Sequence, residues 1–330
     1  MLKVGIIGLG HLGKIHLQQW LTIPGAEVIG VFDTDDACTQ SVANEYNVPA
    51  FESGESLIEA CDAIDIVSPT ISHFHWAKLT VQQGKHVFIE KPMTQNLDEA
   101  KDLVKLVEEA KVKCQIGHVE RYNPAILALD HTTLAPMFIE SHRLSPFNPR
   151  GTDVSVIMDL MIHDIDILLH LVKAPVKRIS ANGVAVMSQS PDIANARIEF
   201  KNGCVANLTS SRISLKRMRK MRLFQKDAYI GIDFLEKKSE VIRMKDADSK
   251  PNPLDFKIQL PSGDEKTISV SQPHTKDTNA IQQELADFTL SILADQPVKV
   301  NAYDGMKAID VAYQVLDKIN HHLEFVAPHI

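Results

Sequence analysis

The chain has 330 residues, 44% hydrophobic and 23% charged, which suits about two soluble domains with cores large enough to need no staples. Its net charge of −7 argues against a general nucleic-acid binder, and no apolar run approaches the ~20 residues that cross a bilayer. The first five residues lead into a strand pattern rather than a signal peptide, and four scattered cysteines without Cys-x-x-Cys fit a reducing cytoplasm better than a disulfide or zinc scaffold.

Up to about residue 117, short apolar runs alternate with helical patterns. Residues 2–7, 26–32, 64–67, 86–89 and 113–116 read as strands. Segments 11–22, 36–46, 55–61, 72–84 and 96–111 read as helices between them. Crossovers of that length predict a parallel, doubly wound sheet covered on both faces. The rhythm then changes. A helical stretch over 155–172 precedes strand-like runs at 178–186, 194–200, 204–211, 221–225 and 229–234. Asn202-Gly203 between two of them is a hairpin signal. A polar, proline-containing loop follows at 246–253, then helices near 276–294 and 304–323. The expected architecture is an α/β domain over 1–120 with a doubly wound parallel sheet, of the Rossmann kind, and an α+β domain over 121–330 with a largely antiparallel open sheet.

Gly8-Leu9-Gly10-His11-Leu12-Gly13 fits G-x-G-x-x-G, directly after the first strand and opening the first helix. Gly8 permits the tight turn, Gly10 lets a pyrophosphate approach the backbone, and Gly13 lets helix and strand pack closely. Backbone N–H groups around His11 and Leu12 would face the pyrophosphate at the helix N-terminus. The second strand ends in Asp33, twenty residues past Gly13. A carboxylate there accepts hydrogen bonds from an adenosine ribose and repels a 2′-phosphate. No arginine follows in Thr34-Asp35-Asp36, so NAD is favoured over NADP. The competing reading is a glycine-rich turn in a ligand-free flavodoxin-like sheet.

Glu90-Lys91-Pro92 follows the strand at 86–89, at a carboxyl end where open α/β sheets bind ligands. Lys91 could hydrogen-bond a reacting hydroxyl or oxyanion, and Pro92 could fix the loop as a cis bond. A surface Lys91 paired with Glu90 is the plain alternative. Asp159 and His163 lie four apart on the helix predicted over 155–172, so they share a face. A carboxylate one turn from an imidazole suits a general base. His163 with Asp166, or Asp166 with His170, could instead ligate a metal, and a buried structural histidine is a third reading. No helical His-Glu cluster supports a metal, so none is expected.

Gly8–Gly13 with His16 three residues on, Glu90-Lys91-Pro92 and Asp159…His163 occur in one order in one chain. Together they resemble the Gfo/Idh/MocA family of NAD(P)-dependent sugar and cyclitol oxidoreductases, over nearly the whole length. Ser68-Pro69-Thr70…His73 resembles the family's loop along the cofactor. Arg121-Tyr122-Asn123-Pro124 resembles the stretch just past its last Rossmann strand. The resemblance implies that Lys91, Asp159 and His163 line the active site, with Lys91-Pro92 often cis. It implies hydride transfer from a hydroxyl-bearing ring carbon. His163 would accept the proton, Lys91 would hydrogen-bond the reacting oxygen, and Asp159 would orient these groups or bind the sugar. Cofactor contacts would come from Gly8, Gly10, His11, Leu12, Gly13, Asp33, Ser68, Pro69, Thr70, His73, Glu90 and Lys91.

Many members carry a glycine-rich stretch before the Asp-x-x-x-His helix, whereas this chain has Arg150-Gly151-Thr152-Asp153-Val154-Ser155. With residues 116–124, this is similar to a subgroup acting on nucleotide sugars. The implied reaction is oxidation of the C3 hydroxyl of a UDP-N-acetylglucosamine-type substrate. Six of the eleven residues from Arg212 to Arg222 are basic, which would suit a diphosphate. Arg121, Tyr122, Asn123 and Arg212 are the candidate substrate contacts. A solvated hairpin or subunit interface explains the basic run equally well. The alternatives are a free-sugar or inositol dehydrogenase of the same family, and a non-catalytic NAD-binding regulatory protein. Neither nucleic acid nor membrane is expected as a partner. The resemblance implies a homodimer or homotetramer paired through the second domain's open sheet.

Overall fold

The computed structural model describes residues 1–130, 132–148, 154–246, 255–259, 261–263, 265–275 and 277–326. It divides into two compact units. The first comprises residues 1–122 and 278–310, the second residues 123–277 and 311–330. Residues 278–310 thus belong with the first unit, although the change of rhythm near residue 120 assigns them to the second domain.

In the first unit, five strands alternate with helices: β1 Leu2–Ile7, α1 His11–Trp20, β2 Ala26–Phe32, α2 Asp36–Tyr46, α3 Gly54–Ala60, β3 Ala63–Ile66, α4 Thr70–Gln82, β4 His86–Glu90, α5 Leu97–Ala110 and β5 Cys114–Gly117. All pairings are parallel, in the order β2-β1-β3-β4-β5. The strand order reverses beside β1, so the switch point lies off the carboxyl ends of β1 and β3, where such sheets bind ligands. Both faces are covered, which is why β3, β5 and most of β1 and β4 are buried without alternation. Local chemistry sets the helix starts. Asp35 accepts from the backbone N–H of Ala37 and Cys38, and Asn96 accepts from that of Glu99.

The second unit opens with the short α6 Pro124–Leu127, capped by Asn123. Its sheet contains β6 Phe138–Leu144, β7 Val176–Val184, β8 Ile193–Phe200, β9 Val205–Ser211, β10 Met218–Phe224, β11 Ala228–Asp233, β12 Lys238–Asp246, β13 Phe256–Gln259 and β14 Glu265–Ser271. The order is β13-β14-β12-β11-β10-β6-β9-β8-β7. Every pairing is antiparallel except β6 with β9. The β8–β9 turn falls at Asn202-Gly203, as the sequence predicts, with Gly203 at φ +90°. Strands β6, β12, β13 and β14 are not predicted. In β6 the buried face itself carries Ser141 and Arg143, and β12 to β14 interleave charged with apolar residues, which dilutes the apolar signal.

The helix predicted over 155–172 is two structures in succession. A π-helical turn covers Ile157–Met161, and α7 covers Ile162–Leu171. The chain ends with α8 Ala280–Leu293, whose Leu285 and Phe288 join the first unit's core beside Leu9, Leu17 and Trp20, and with α9 Ala302–Val326. Most of the predicted loop at 246–253 lies outside the described residues, as do Arg150 to Asp153.

Candidate active site

The turn after β1 is built as the glycine spacing predicts. Gly8 sits at φ +98°, a region open to glycine at little cost, and its N–H donates to the Phe32 carbonyl at 2.9 Å. A Cβ on Gly8 would meet the backbone of Ser68 at 2.3 Å, so the loops after β1 and β3 touch at the switch point. A Cβ on Gly13 would lie 1.9 Å from the Gly8 carbonyl oxygen, so helix and loop pack at a distance only glycine allows. At Gly10 a Cβ would meet nothing within 4 Å. Gly10 is also the N-cap of α1 without a side-chain cap, and the first turn has no acidic residue. His11 and Leu12 are exposed beside it. An open backbone face at an uncapped helix N-terminus fits a pyrophosphate.

Asp33 stands one residue beyond β2. Its Oδ2 accepts the Leu9 N–H at 2.7 Å and its Oδ1 accepts the Asp35 N–H at 3.1 Å. Oδ1 also accepts the Thr34 hydroxyl at 3.4 Å, while Oδ2 keeps a further lone pair with which a diol could be received. Asp33 therefore shapes the glycine loop and leaves its carboxylate at the carboxyl end of β2.

Ser68 and Pro69 lead from β3 into α4, whose first residue is Thr70 and whose N-cap is Pro69. Ser68 and Ser72 share a hydroxyl hydrogen bond of 2.7 Å. His73 is 1% exposed. Its Nε2 lies 2.7 Å from the Ser68 carbonyl oxygen and its Nδ1 lies 2.8 Å from that of Pro92. The ring staples the β3 loop to the Lys91-Pro92 loop. Burial lowers its pKa and the two carbonyls pull the other way, with burial prevailing.

The Lys91–Pro92 peptide is cis. Glu90 is only 6% exposed, and its Oε2 accepts the Lys91 backbone N–H at 3.0 Å. Its Oε1 lies 3.2 Å from Nε2 of the fully buried His16. His16 Nδ1 lies 2.9 Å from Asp65 Oδ2, which also accepts from the Trp20 indole at 2.7 Å. Glu284, on α8, is fully buried beside them. One ligand-type atom from each of His16, Glu90 and Glu284 lies within 4.8 Å of the others. Sequence reading singled out His16 and Glu90 but missed Asp65 and Glu284. Their signal is a lone carboxylate inside an apolar pattern: Ala63-Ile64-Asp65-Ile66 on a strand, and Glu284 beside Leu285 on a core-facing helix.

Arg121 and Tyr122 belong to a buried 3-10 turn over Val119–Tyr122. Arg121 Nη1 donates to Asp304 Oδ2 at 3.3 Å and approaches the Lys299 carbonyl oxygen at 3.5 Å. Tyr122 is fully buried with Lys299 over its ring, and burial pushes its hydroxyl well above the usual phenol range. These contacts tie the end of the Rossmann strands to the start of α9.

In the second unit, Asp159 sits within the π-turn and Ile162 opens α7, with His163 next. Both Asp159 and His163 are half-buried. An i→i+5 ladder puts more residues in a turn than an α-helix does, so positions four apart stay on one face. Turns of this kind are frequent at functional sites. The neighbouring Asp164 is buried in a fork with Arg143: Nε to Oδ2 at 2.8 Å and Nη2 to Oδ1 at 3.1 Å. That pair locks α7 onto β6 beside His163. Asp166 is buried and His170 is exposed.

Asn123 accepts from the Ala125 N–H at 3.1 Å and donates to the Phe234 carbonyl at 3.1 Å. Arg212 is 6% exposed, donates to the Val154 carbonyl at 2.8 Å and pairs with Asp192 at 3.7 Å. The rest of the basic run is mostly exposed, with Lys220 paired to Asp233 and Arg222 to Glu140. A cavity of about 650 Å³ in this unit is lined by Ile126, Met137, His170, Val172 and Cys204, among others, and by neither Asp159 nor His163.

The first unit is thus a dinucleotide-binding Rossmann domain, with a lysine beside its ligand-binding edge. A family model described as an oxidoreductase family with an NAD-binding Rossmann fold matches residues 2–118, and the Gfo/Idh/MocA C-terminal domain matches residues 136–229. The chain is similar to UDP-N-acetylglucosamine 3-dehydrogenase of Acidithiobacillus ferrooxidans, 36% identical over 95% of this chain and 96% of that one. A solved structure of that enzyme superposes with a TM-score of 0.87 and 34% identity, covering 98% and 99% of the two chains. The scyllo-inositol 2-dehydrogenase (NAD(+)) of Bacillus subtilis is 29% identical over 64% of this chain and 68% of its own. The scyllo-inositol dehydrogenase of Lactobacillus casei, solved with NAD(H) and scyllo-inositol, shares the fold at TM-score 0.76 and 20% identity, over 98% of both chains. This chain belongs to the Gfo/Idh/MocA family and is an NAD-binding oxidoreductase.

Proposed function

We propose that the protein oxidises the C3 hydroxyl of UDP-N-acetylglucosamine, or a close relative of it, to a 3-keto nucleotide sugar. The observation that carries this reading is likeness to UDP-N-acetylglucosamine 3-dehydrogenase along both whole chains rather than over the Rossmann part alone. NAD, when bound, supplies the hydride acceptor. Gly8, Gly10, His11, Leu12 and Gly13 offer backbone to its pyrophosphate, and Asp33 receives the ribose and excludes a 2′-phosphate. Ser68, Pro69, Thr70 and His73 shape the neighbouring loop along it.

The hydroxyl proton goes to His163 as general base, and Asp159 orients the imidazole or holds the sugar. The Lys91 ammonium hydrogen-bonds the reacting oxygen, where negative charge builds as the proton leaves. Glu90 holds the Lys91 backbone. The products are the ketone, reduced cofactor and one released proton, so charge and electrons balance. Arg121, Tyr122, Asn123 and Arg212 are spoken for by contacts inside their own units. We therefore assign them a supporting role around the substrate site, and leave the diphosphate to the exposed cations between Lys216 and Arg222.

The four cysteines Cys38, Cys61, Cys114 and Cys204 are unpaired, which supports a cytoplasmic enzyme. Among the described residues, no helix is long and apolar enough to cross a membrane. Val184, Val186 and Met187 are exposed at the end of β7, which supports self-association of the second unit's sheet into a homodimer or homotetramer. Light scattering on the purified protein tests this last point.

The catalytic reading is tested by NAD reduction with UDP-N-acetylglucosamine, glucose 6-phosphate, glucose and myo-inositol, with His163→Ala as control. Turnover confined to the UDP-sugar and lost in the variant is the expected result. Turnover with free sugars alone would discard the nucleotide-sugar assignment. NAD binding without turnover of any sugar would point to a regulatory protein.

A further inference from the structure

Beneath the Lys91 loop, three carboxylates and one imidazole meet in the core of the first unit: Asp65 on β3, Glu90 on β4, Glu284 on α8 and His16 on α1. Asp65, His16 and Glu284 are fully buried. Isolated charges in such a place are very costly, so protons must be shared out until few net charges remain. His16 lies between the two acids Asp65 and Glu90, with Nδ1 2.9 Å from Asp65 and Nε2 3.2 Å from Glu90. Glu284 has neither carboxylate oxygen hydrogen-bonded, yet it faces Glu90 and His16. A buried carboxyl without partners, next to another carboxylate, is stable only in its neutral form. The directions of titration agree. Burial, Glu90 and Asp65 push Glu284 well up, and the two acids beside His16 outweigh its burial and raise it.

We propose that Glu284 is a positioning residue for Lys91: as a neutral acid on α8, within 4.8 Å of Glu90, it fills the space behind that carboxylate without adding a second charge, which leaves Glu90 ionised and turned to the Lys91 backbone N–H. Glu90 has one oxygen on Lys91 and the other towards His16 and Glu284. Without the neutral acid, Glu90 faces a cavity or takes the proton itself, and its hold on Lys91 loosens. The link runs from residue 284 to residue 91 through a single intervening side chain. It rests on the reading of Lys91 as the group that meets the reacting oxygen. The same three atoms could accept a divalent cation. The 3.2 Å approach of His16 to Glu90 inside a closed core favours shared protons instead.

The experiment compares the full-length wild type with Glu284→Gln, Glu284→Leu, Lys91→Ala and the double variant Lys91→Ala/Glu284→Leu. Steady-state kinetics would use NAD and UDP-N-acetylglucosamine. Gln is neutral and of the same shape, so Glu284→Gln should keep kcat within about threefold of wild type. Glu284→Leu should lower kcat about tenfold to a hundredfold, the scale of a small misplacement, with the KM for NAD unchanged. In the Lys91→Ala background the Leu substitution should cost no further activity, because the two act as one unit. If Glu284→Leu does not fold, Glu284→Asp, one methylene shorter, takes its place with the same expected pattern. A Gln variant as damaged as the Leu variant, a Leu variant like wild type, or full additivity in the double variant would each overturn the proposal. So would a stoichiometric metal in the purified protein that Glu284→Gln abolishes. Normal turnover in Lys91→Ala alone would instead overturn the reading of Lys91, and is seen without any change at Glu284.

Discussion

Asp33 accepts the backbone N–H of Leu9 across 2.7 Å, so the acid at the end of β2 holds the glycine loop it serves. Substitution at Asp33 should therefore weaken NAD in two ways, by removing the ribose acceptor and by loosening Leu9. Hydrogen bonds to a charged group contribute about 1.5–3 kcal/mol, or roughly ten- to a hundredfold. Asp33→Ser should raise the KM for NAD by that factor and narrow the preference over NADP. Kinetics with both cofactors would check it, and a wild type that uses NADP as readily as NAD would contradict the role given to Asp33.

His163→Ala should lower kcat about 10²–10⁴-fold, the usual worth of a general base, while NAD still binds. Lys91→Ala should cost about 10²–10³-fold if its ammonium supports the reacting oxygen. Fluorescence titration with NADH separates binding from turnover. Near-normal kcat in either variant would remove that residue from the chemistry.

The His73 staple carries a stability prediction. His73→Ala removes the one N–H that the neutral ring donates to the Ser68 or the Pro92 carbonyl, at about 1–3 kcal/mol for a buried group left unpaired. Thermal unfolding should show a clear drop in Tm. Because burial lowers the His73 pKa in the fold, the unfolded chain binds the proton better. The wild type should then lose stability as pH falls below His73's unfolded value near 6.5, and His73→Ala should lose less over that interval.

The buried acids predict the opposite slope on the alkaline side. Glu284 and His16 both have pKa values raised in the fold, so the native state holds their protons more tightly than the unfolded chain does. Their contributions are complete below the unfolded values near 4.5 and 6.5, and fade as pH rises towards the raised native ones. The groups facing them are Asp65, Glu90 with Lys91 behind it, and the Tyr122 hydroxyl. Glu284→Gln cannot lose a proton. Its Tm should fall less than that of wild type between pH 6 and pH 9, and parallel curves would refute a protonated Glu284.

Arg143→Met should destabilise the second unit by about 3–5 kcal/mol, since it leaves Asp164 charged and buried alone. Arg143→Met/Asp164→Leu should recover most of that loss, because removing both charges ends the desolvation cost. Urea unfolding of the three proteins would show whether the fork holds α7 in this way.

Period and punctuation made the first unit legible from the chain alone. Apolar runs of strand length, separated by helix-length segments, leave few alternatives to a parallel sheet, and Gly8, Gly13 and Asp33 mark its ligand-binding edge because local geometry admits few other residues there. The Asp159–His163 spacing could be read for the same reason, although only the structure reveals the π-turn that carries Asp159. The strands β6, β12, β13 and β14 escaped, since polar or charged residues on the buried face of β6 and among the apolar residues of the others blur a period of two. Tertiary structure alone brought residues 16, 65, 90 and 284 together and enclosed Arg121 and Arg212. Whether a charged side chain meets solvent or a buried partner depends on contacts across tens to hundreds of residues. In the sequence, a buried acid such as Glu284 looks like any other glutamate on a helix. Its protonation follows from the low-dielectric surroundings that only folding creates.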